Sequence, residues 1–183
     1  MRLPALTTAV ALTALTFTLS ATPSRSQTNT NQISFLCRSI NPRGGWKQIP
    51  ATVAFIPESG QYRQIIAWEA DPFPNTVWTP QRRCEVISQR FQESYNQGRL
   101  SHLTTGSIRG LGVICATQFG ETCNSNNQLF TVKPGSNPET ILGQLIQIGH
   151  GRSTEAIWQT ANNQRYLNFS IYLENAPVLD ITE

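Results

Sequence analysis

Charge is scarce in this chain, and two charged residue types are almost missing. Lys, Arg, Asp and Glu make up 14% of the 183 residues, against roughly 25% in ordinary soluble domains. The only lysines are Lys47 and Lys133, and the only aspartates are Asp71 and Asp180. Asn and Gln together outnumber the charged residues, so solubility rests on neutral amides. Without a clustered basic footprint there is no basis for nucleic-acid binding. A Ser–His–Asp arrangement has little to draw on, and no GxSxG elbow is present. Histidine is limited to His102 and His150, both expected in loops, and no CxxC pair exists, so zinc lacks its usual ligands. Acids such as Glu58, Glu69, Glu85, Glu93, Glu121 and Glu155 are scattered and nominate no pair of carboxylates across a cleft. "GSIRGLG" (106–112) is neither a Walker loop nor a dinucleotide fingerprint, and its glycines fit close strand packing or a bulge. These absences leave no catalytic residue, no cofactor site and no metal site to name.

Long apolar runs are missing too, except near the start. Behind Arg2, residues 5–19 form an acid-free apolar run broken only by threonines. It falls short of the roughly 20 residues that span a bilayer. Ser24 and Ser26 are placed for cleavage before Gln27, so residues 1–26 are expected to be a cleaved export signal. No twin-arginine pair precedes the run, and the first cysteine, Cys37, lies too far on for a lipid anchor. Removing residues 1–26 takes away Arg2 and Arg25 and leaves twelve basic and eleven acidic residues, a net charge of +1. The polar "QTNTNQ" (27–32) reads as a disordered lead-in, 33–175 as one domain, and 176–183 as an unassigned tail.

Cysteine is sparse but even. Cys37, Cys84, Cys115 and Cys123 in an exported chain read as two disulfides, with three possible connectivities. "ISFLCR" (33–38) is a first strand; "ATVAFIP" and "YRQIIAWEA" flank "ESGQ" as a hairpin. In "WTPQRRCEVISQRF" (78–91), Thr79 can cap a helix, Pro80 suits its first position, and Gly98 offers a stop. Cys84, Ile87, Ser88, Phe91 and Tyr95 then fall on one stripe that faces the core. A cysteine behind two arginines at a helix start could be a reactive thiolate, but an inward-facing Cys84 points to a structural bridge. "GSIRGLGVICATQ" (106–118) and "NQLFTV" (127–132) are strands, with Cys115 and Cys123 on either side of the turn between them. Asn137, Pro138 and Glu139 open a second helix with Ile141, Leu142, Leu145 and Ile148 on its apolar face. "EAIWQT-ANNQ-RYLNFSIYL" reads as a closing hairpin, because Leu167, Phe169, Ile171 and Leu173 alternate with polar or aromatic neighbours. The expected fold is a single α+β domain: a mainly antiparallel sheet, two helices packed on it, and two disulfides.

The motifs "FLC" (35–37), "IIAW" (65–68), "WTPQRRCEVISQRFQ" (78–92), "LTTGSIRGLGVICAT" (103–117) and "LFTVKPGSNPETIL" (129–142), with Cys123, resemble the circadian oscillating protein family of cyanobacteria. The resemblance spans about 33–148 and includes all four cysteines. It implies a small exported protein, peripherally associated with membranes, whose abundance follows a daily rhythm and for which no catalytic residues can be carried over. The preferred pairing is Cys37–Cys84 and Cys115–Cys123, one bridge tying the first strand to the first helix and the other stapling a turn.

Arg82, Arg83 and Arg90 are the polar group left to explain. Arginines in the first turns oppose the helix dipole, at about 0.3–1 kcal/mol each, and Glu85 and Glu93 at i+3 can offset part of that. Helix phase puts Arg83 and Arg90 along one edge of the buried stripe while Arg82 points away. They are either a solvated shoulder or a docking patch for a membrane surface or membrane protein, in the periplasm or thylakoid lumen. The alternative is a small-ligand or glycan-binding module that uses exposed tryptophans among Trp46, Trp68, Trp78 and Trp158.

Overall fold

A computed structural model describes residues 31–42, 47–69, 77–149, 157–159 and 163–180. The expected export signal, most of the lead-in, Trp46, Asp71, His150 and the side chain of Trp158 lie outside the described residues.

Two antiparallel sheets share one core. The first has the order β1 (Ser34–Ile40), β2 (Ile49–Ile56), β3 (Gln61–Ala67), β9 (Val178–Leu179). The second has the order β6 (Gln128–Thr131), β5 (Leu111–Thr117), β4 (His102–Ile108), β8 (Arg165–Asn168), β7 (Ile157–Gln159). The chain is thus a single α+β domain with two disulfides, Cys37–Cys84 and Cys115–Cys123, both in the preferred pairing. Among the described residues two sheets stand where one is expected, and a third helix joins the two expected.

Helix α1 (Pro80–Asn96) forms as its local signals dictate. The Thr79 hydroxyl accepts from the Arg82 N–H, Pro80 opens the first turn, and Gly98 follows the helix at φ +66°. Cys84, Ile87, Ser88 and Phe91 are buried as the stripe requires, with Ser94 buried beside the half-buried Tyr95. Helix α2 (Pro138–Gly149) is started by Asn137, whose side chain accepts the Glu139 N–H at 2.8 Å, and it buries Leu142, Leu145 and Ile146.

Two segments depart from the expected pattern. "GSIRGLGVICATQ" is the core of a hairpin rather than one strand: Ile108 pairs with Leu111 across Arg109 and Gly110, both at positive φ (52° and 76°). That is the left-handed geometry of a two-residue hairpin turn. His102 is accordingly a strand residue and not a loop residue. The closing strand ends at Asn168, and Phe169–Asn175 form helix α3. Alternation along 167–173 also places Phe169 and Leu173 one helical turn apart, with Tyr172 between them, and these three are the buried ones. Asn168 decides the outcome by capping the helix, its side chain accepting the Ile171 N–H at 3.1 Å.

Helices and both sheets meet in a continuous apolar cluster. Phe35 of β1 stacks on Phe91 of α1 at 5.6 Å between ring centroids, and Leu103, Ile114, Leu129, Leu142 and Leu167 are fully buried beside them. Gly106 lies against the second disulfide so closely that a β-carbon there would stand 2.9 Å from Cys123 Sγ. This glycine permits a close approach, but to the disulfide in the β5–β6 connection rather than to a neighbouring strand.

Candidate functional site

The rotation of α1 is fixed on its buried side. Cys84 is tied to Cys37 of β1 with Cα atoms 5.4 Å apart, and the Ser88 hydroxyl donates to Thr52 Oγ1 at 3.1 Å. The same Thr52 oxygen accepts from Trp68 Nε1 at 3.1 Å, so one buried hydroxyl joins the helix, β2 and the end of β3. No thiol is free.

With that phase, the three arginines separate as helix geometry predicts. The Arg83 guanidinium carbon lies over the Trp68 ring, 4.4 Å from its centroid. Arg90 donates from Nη1 to the Leu129 carbonyl at 2.9 Å, covering the outer side of edge strand β6. Arg82 points to solvent, 61% exposed, and pairs with Glu85 at 3.8 Å. The expected offset of Arg90 by Glu93 does not form: Glu93 instead accepts from Gln89 at 2.8 Å.

Apolar side chains stand beside the arginines. Trp78 (41% exposed) and Leu111 (47%) line a groove of about 330 Å³ together with Arg83, Arg90 and Phe130. Val77, next to Trp78, is 82% exposed. Arg109, at the tip of the β4–β5 turn, is exposed two residues from Leu111. A single reading frame along the sequence could not bring Leu111 to α1. Of the described tryptophan side chains, Trp68 is buried in the core, whereas Trp78 is at the groove mouth.

A second cavity, of about 450 Å³, adjoins the groove on the other side of Arg83, between β3, the end of β6, and α2. Elsewhere the polar residues brace the frame. Glu139 takes the Thr105 hydroxyl and pairs with Arg165 at 3.0 Å, linking α2 to β4 and β8. His102 Nδ1 lies 3.0 Å from Ser101 Oγ, and its ring packs against Phe119 and Tyr166 at 5.6 and 6.3 Å. Burial lowers the pKa of this imidazole from its ordinary value. The Ser101 hydroxyl also has the Thr117 carbonyl and Gln118 Oε1 as acceptors at 3.0 Å, which makes it a strand-end brace. Among the described residues no group of three His, Cys, Asp or Glu side chains is placed to hold a metal ion, and no helix is long and apolar enough to cross a membrane.

Fold and surface together define a small disulfide-stapled α+β domain with an arginine–tryptophan face. The chain belongs to the family described as circadian oscillating protein COP23, whose pattern matches residues 34–174. Neither the curated proteins nor the solved structures give a match. The family description refers to a circadian rhythm and leaves the molecular role open. Two disulfides are consistent with a protein that works outside the reducing cytoplasm.

Proposed function

We propose that the protein is a non-catalytic domain of the periplasm or thylakoid lumen that docks on an anionic membrane surface, with its abundance following a daily rhythm. One observation supports this reading above the others. Trp78 and Leu111, two of the large apolar side chains most exposed among the described residues, share a groove with Arg83 and Arg90. Val77 extends the apolar patch, while Arg82 and Arg109 add charge at its margin; Glu85 offsets one of them. Tryptophan suits the headgroup level of a bilayer, where its ring is half apolar and half polar. Each basic residue near an anionic leaflet contributes about 1 kcal/mol, and that term is screened by salt.

Co-sedimentation of the mature protein with phosphatidylcholine vesicles, with and without phosphatidylglycerol, tests the proposal. Binding should require phosphatidylglycerol and be reversed by high salt. Arg82→Gln with Arg83→Gln should cost about 2 kcal/mol, about a thirty-fold loss of affinity. Trp78→Ala should weaken binding at every salt concentration. Equal binding to both vesicle types refutes electrostatic docking. Binding to native membranes but to neither vesicle type places the contact on a membrane protein instead.

A further inference from the structure

We infer that the cavity at the seam between the two sheets binds a small amphiphilic carboxylate, a monoanion with an apolar body. Strands β3 and β6 belong to different sheets, and they face each other without pairing. β9 pairs with β3 at Tyr62 and Arg63, so among the described residues no strand flanks the stretch that includes Ile66 and Ala67 on that side. The gap is the cavity of about 450 Å³, inside the roughly 300–1,000 Å³ typical of ligand sites. Its apolar wall is built from Ile66, Trp68, Phe130 and Leu145. Trp68 and Phe130 meet edge to face at 6.0 Å, which makes the wall rigid.

Charge is confined to a few residues among those lining the cavity. Among the described lining residues Arg83 and Lys133 are opposed by Glu69, an excess of one positive charge that matches one carboxylate better than a dianion or a cation. The Arg83 guanidinium carbon lies 4.4 Å from the Trp68 ring centroid, a cation–π contact that holds this cation at the cavity wall, and the planar fork of a guanidinium suits a carboxylate. A neutral sugar would leave both the apolar wall and the net charge unused.

Calorimetric titration of the mature protein with decanoate tests the assignment, with decylammonium as the probe of opposite charge. Decanoate should saturate at one per chain, and decylammonium should bind more weakly by about ten-fold or more. Arg83→Gln and Lys133→Gln should each weaken decanoate; Lys133 is exposed and outside the groove at Trp78, so its variant should fold and still bind vesicles. The Trp68 indole N–H resonance, identified by its loss in Trp68→Phe, should move with decanoate. Equal binding of the two probes overturns the inference, as does saturation that leaves the Trp68 resonance still. Unchanged affinity in both folded variants does the same.

Discussion

The two disulfides form a matched pair for asking what each contributes. Cys37–Cys84 closes a sequence separation of 47 residues and Cys115–Cys123 one of 8. In each pair one cysteine is completely buried, Cys84 or Cys115, and the other is half-buried. Replacing both members of either pair with alanine therefore removes similar packing, and the loss that differs is loop closure. Chain entropy assigns about 4 kcal/mol to the long loop and about 2.5 kcal/mol to the short one, a difference of about 1.6 kcal/mol that depends only on the ratio of loop lengths. Against a typical total of about 5–15 kcal/mol, the long loop is a large share of the stability.

Urea unfolding of the wild-type protein and the two double variants, followed by circular dichroism, measures the difference. Cys37→Ala/Cys84→Ala should be the less stable variant by the margin above. A steeper denaturant slope in that variant would locate the effect in an expanded unfolded chain. Equal losses, or a larger loss at the short loop, would refute the loop-closure reasoning. Native strain or packing would then set the contributions.

The glycines give a second contrast. Gly106→Ala pushes a methyl into Cys123 and should cost about 1–3 kcal/mol. Gly143→Ala, inside α2 with open space around it, should gain up to about 1 kcal/mol by thermal denaturation. Tyr172 is fully buried and donates its hydroxyl to the Ile65 carbonyl at 2.8 Å, so burial pushes its pKa well above 10.0. The fold then favours the neutral phenol; its contribution is complete below the unfolded value of 10.0 and is lost as pH rises above it. Stability measured through alkaline pH should fall in the wild type and fall less in Tyr172→Phe. For His102 the sign reverses. Its depressed pKa favours the neutral ring in the fold, so its contribution is present above 6.5 and is lost as pH drops below that value. A His102→Gln variant whose stability fell as steeply between neutral and mildly acidic pH would refute that assignment.

What could be read from the sequence is what local chemistry decides. Thr79, Pro80, Gly98 and the stripe through Cys84 and Phe91 mark α1 without reference to any other element, and they turn Cys84 towards β1. The third helix was hidden because Leu167, Phe169, Ile171 and Leu173 satisfy a period of two, while the burial of Phe169, Tyr172 and Leu173 follows the helical spacing. The signal available was Asn168, a capping residue in the middle of the supposed strand. The β4–β5 turn was missed because Arg109 occupies a left-handed position usually given to Asn, Asp or Gly. Arg90 could not be understood from α1 alone, since its acceptor, Leu129, lies 39 residues away. The cavity depends on two sheet edges meeting, and nothing local in β3 or β6 encodes that.

Helix α1 makes the structural and surface problems one problem. Each residue advances the helix by about 100°, so a slip of one position would carry Arg83 away from Trp68 and Arg90 away from the β6 edge. What prevents the slip lies on the buried stripe beside them: the Cys37–Cys84 bridge and the Ser88–Thr52–Trp68 hydroxyl node. The disulfide thereby sets the placement of the arginines as well as the stability of the domain. Reduction should disturb the proposed ligand and membrane contacts through Arg83 before the chain unfolds. Arg82 points into solvent with only a loose partner in Glu85, so its replacement reports on charge alone. Arg83 reports on charge together with helix phase, and the difference between those two variants, measured oxidised and reduced, separates the bridge's structural role from its control of the surface.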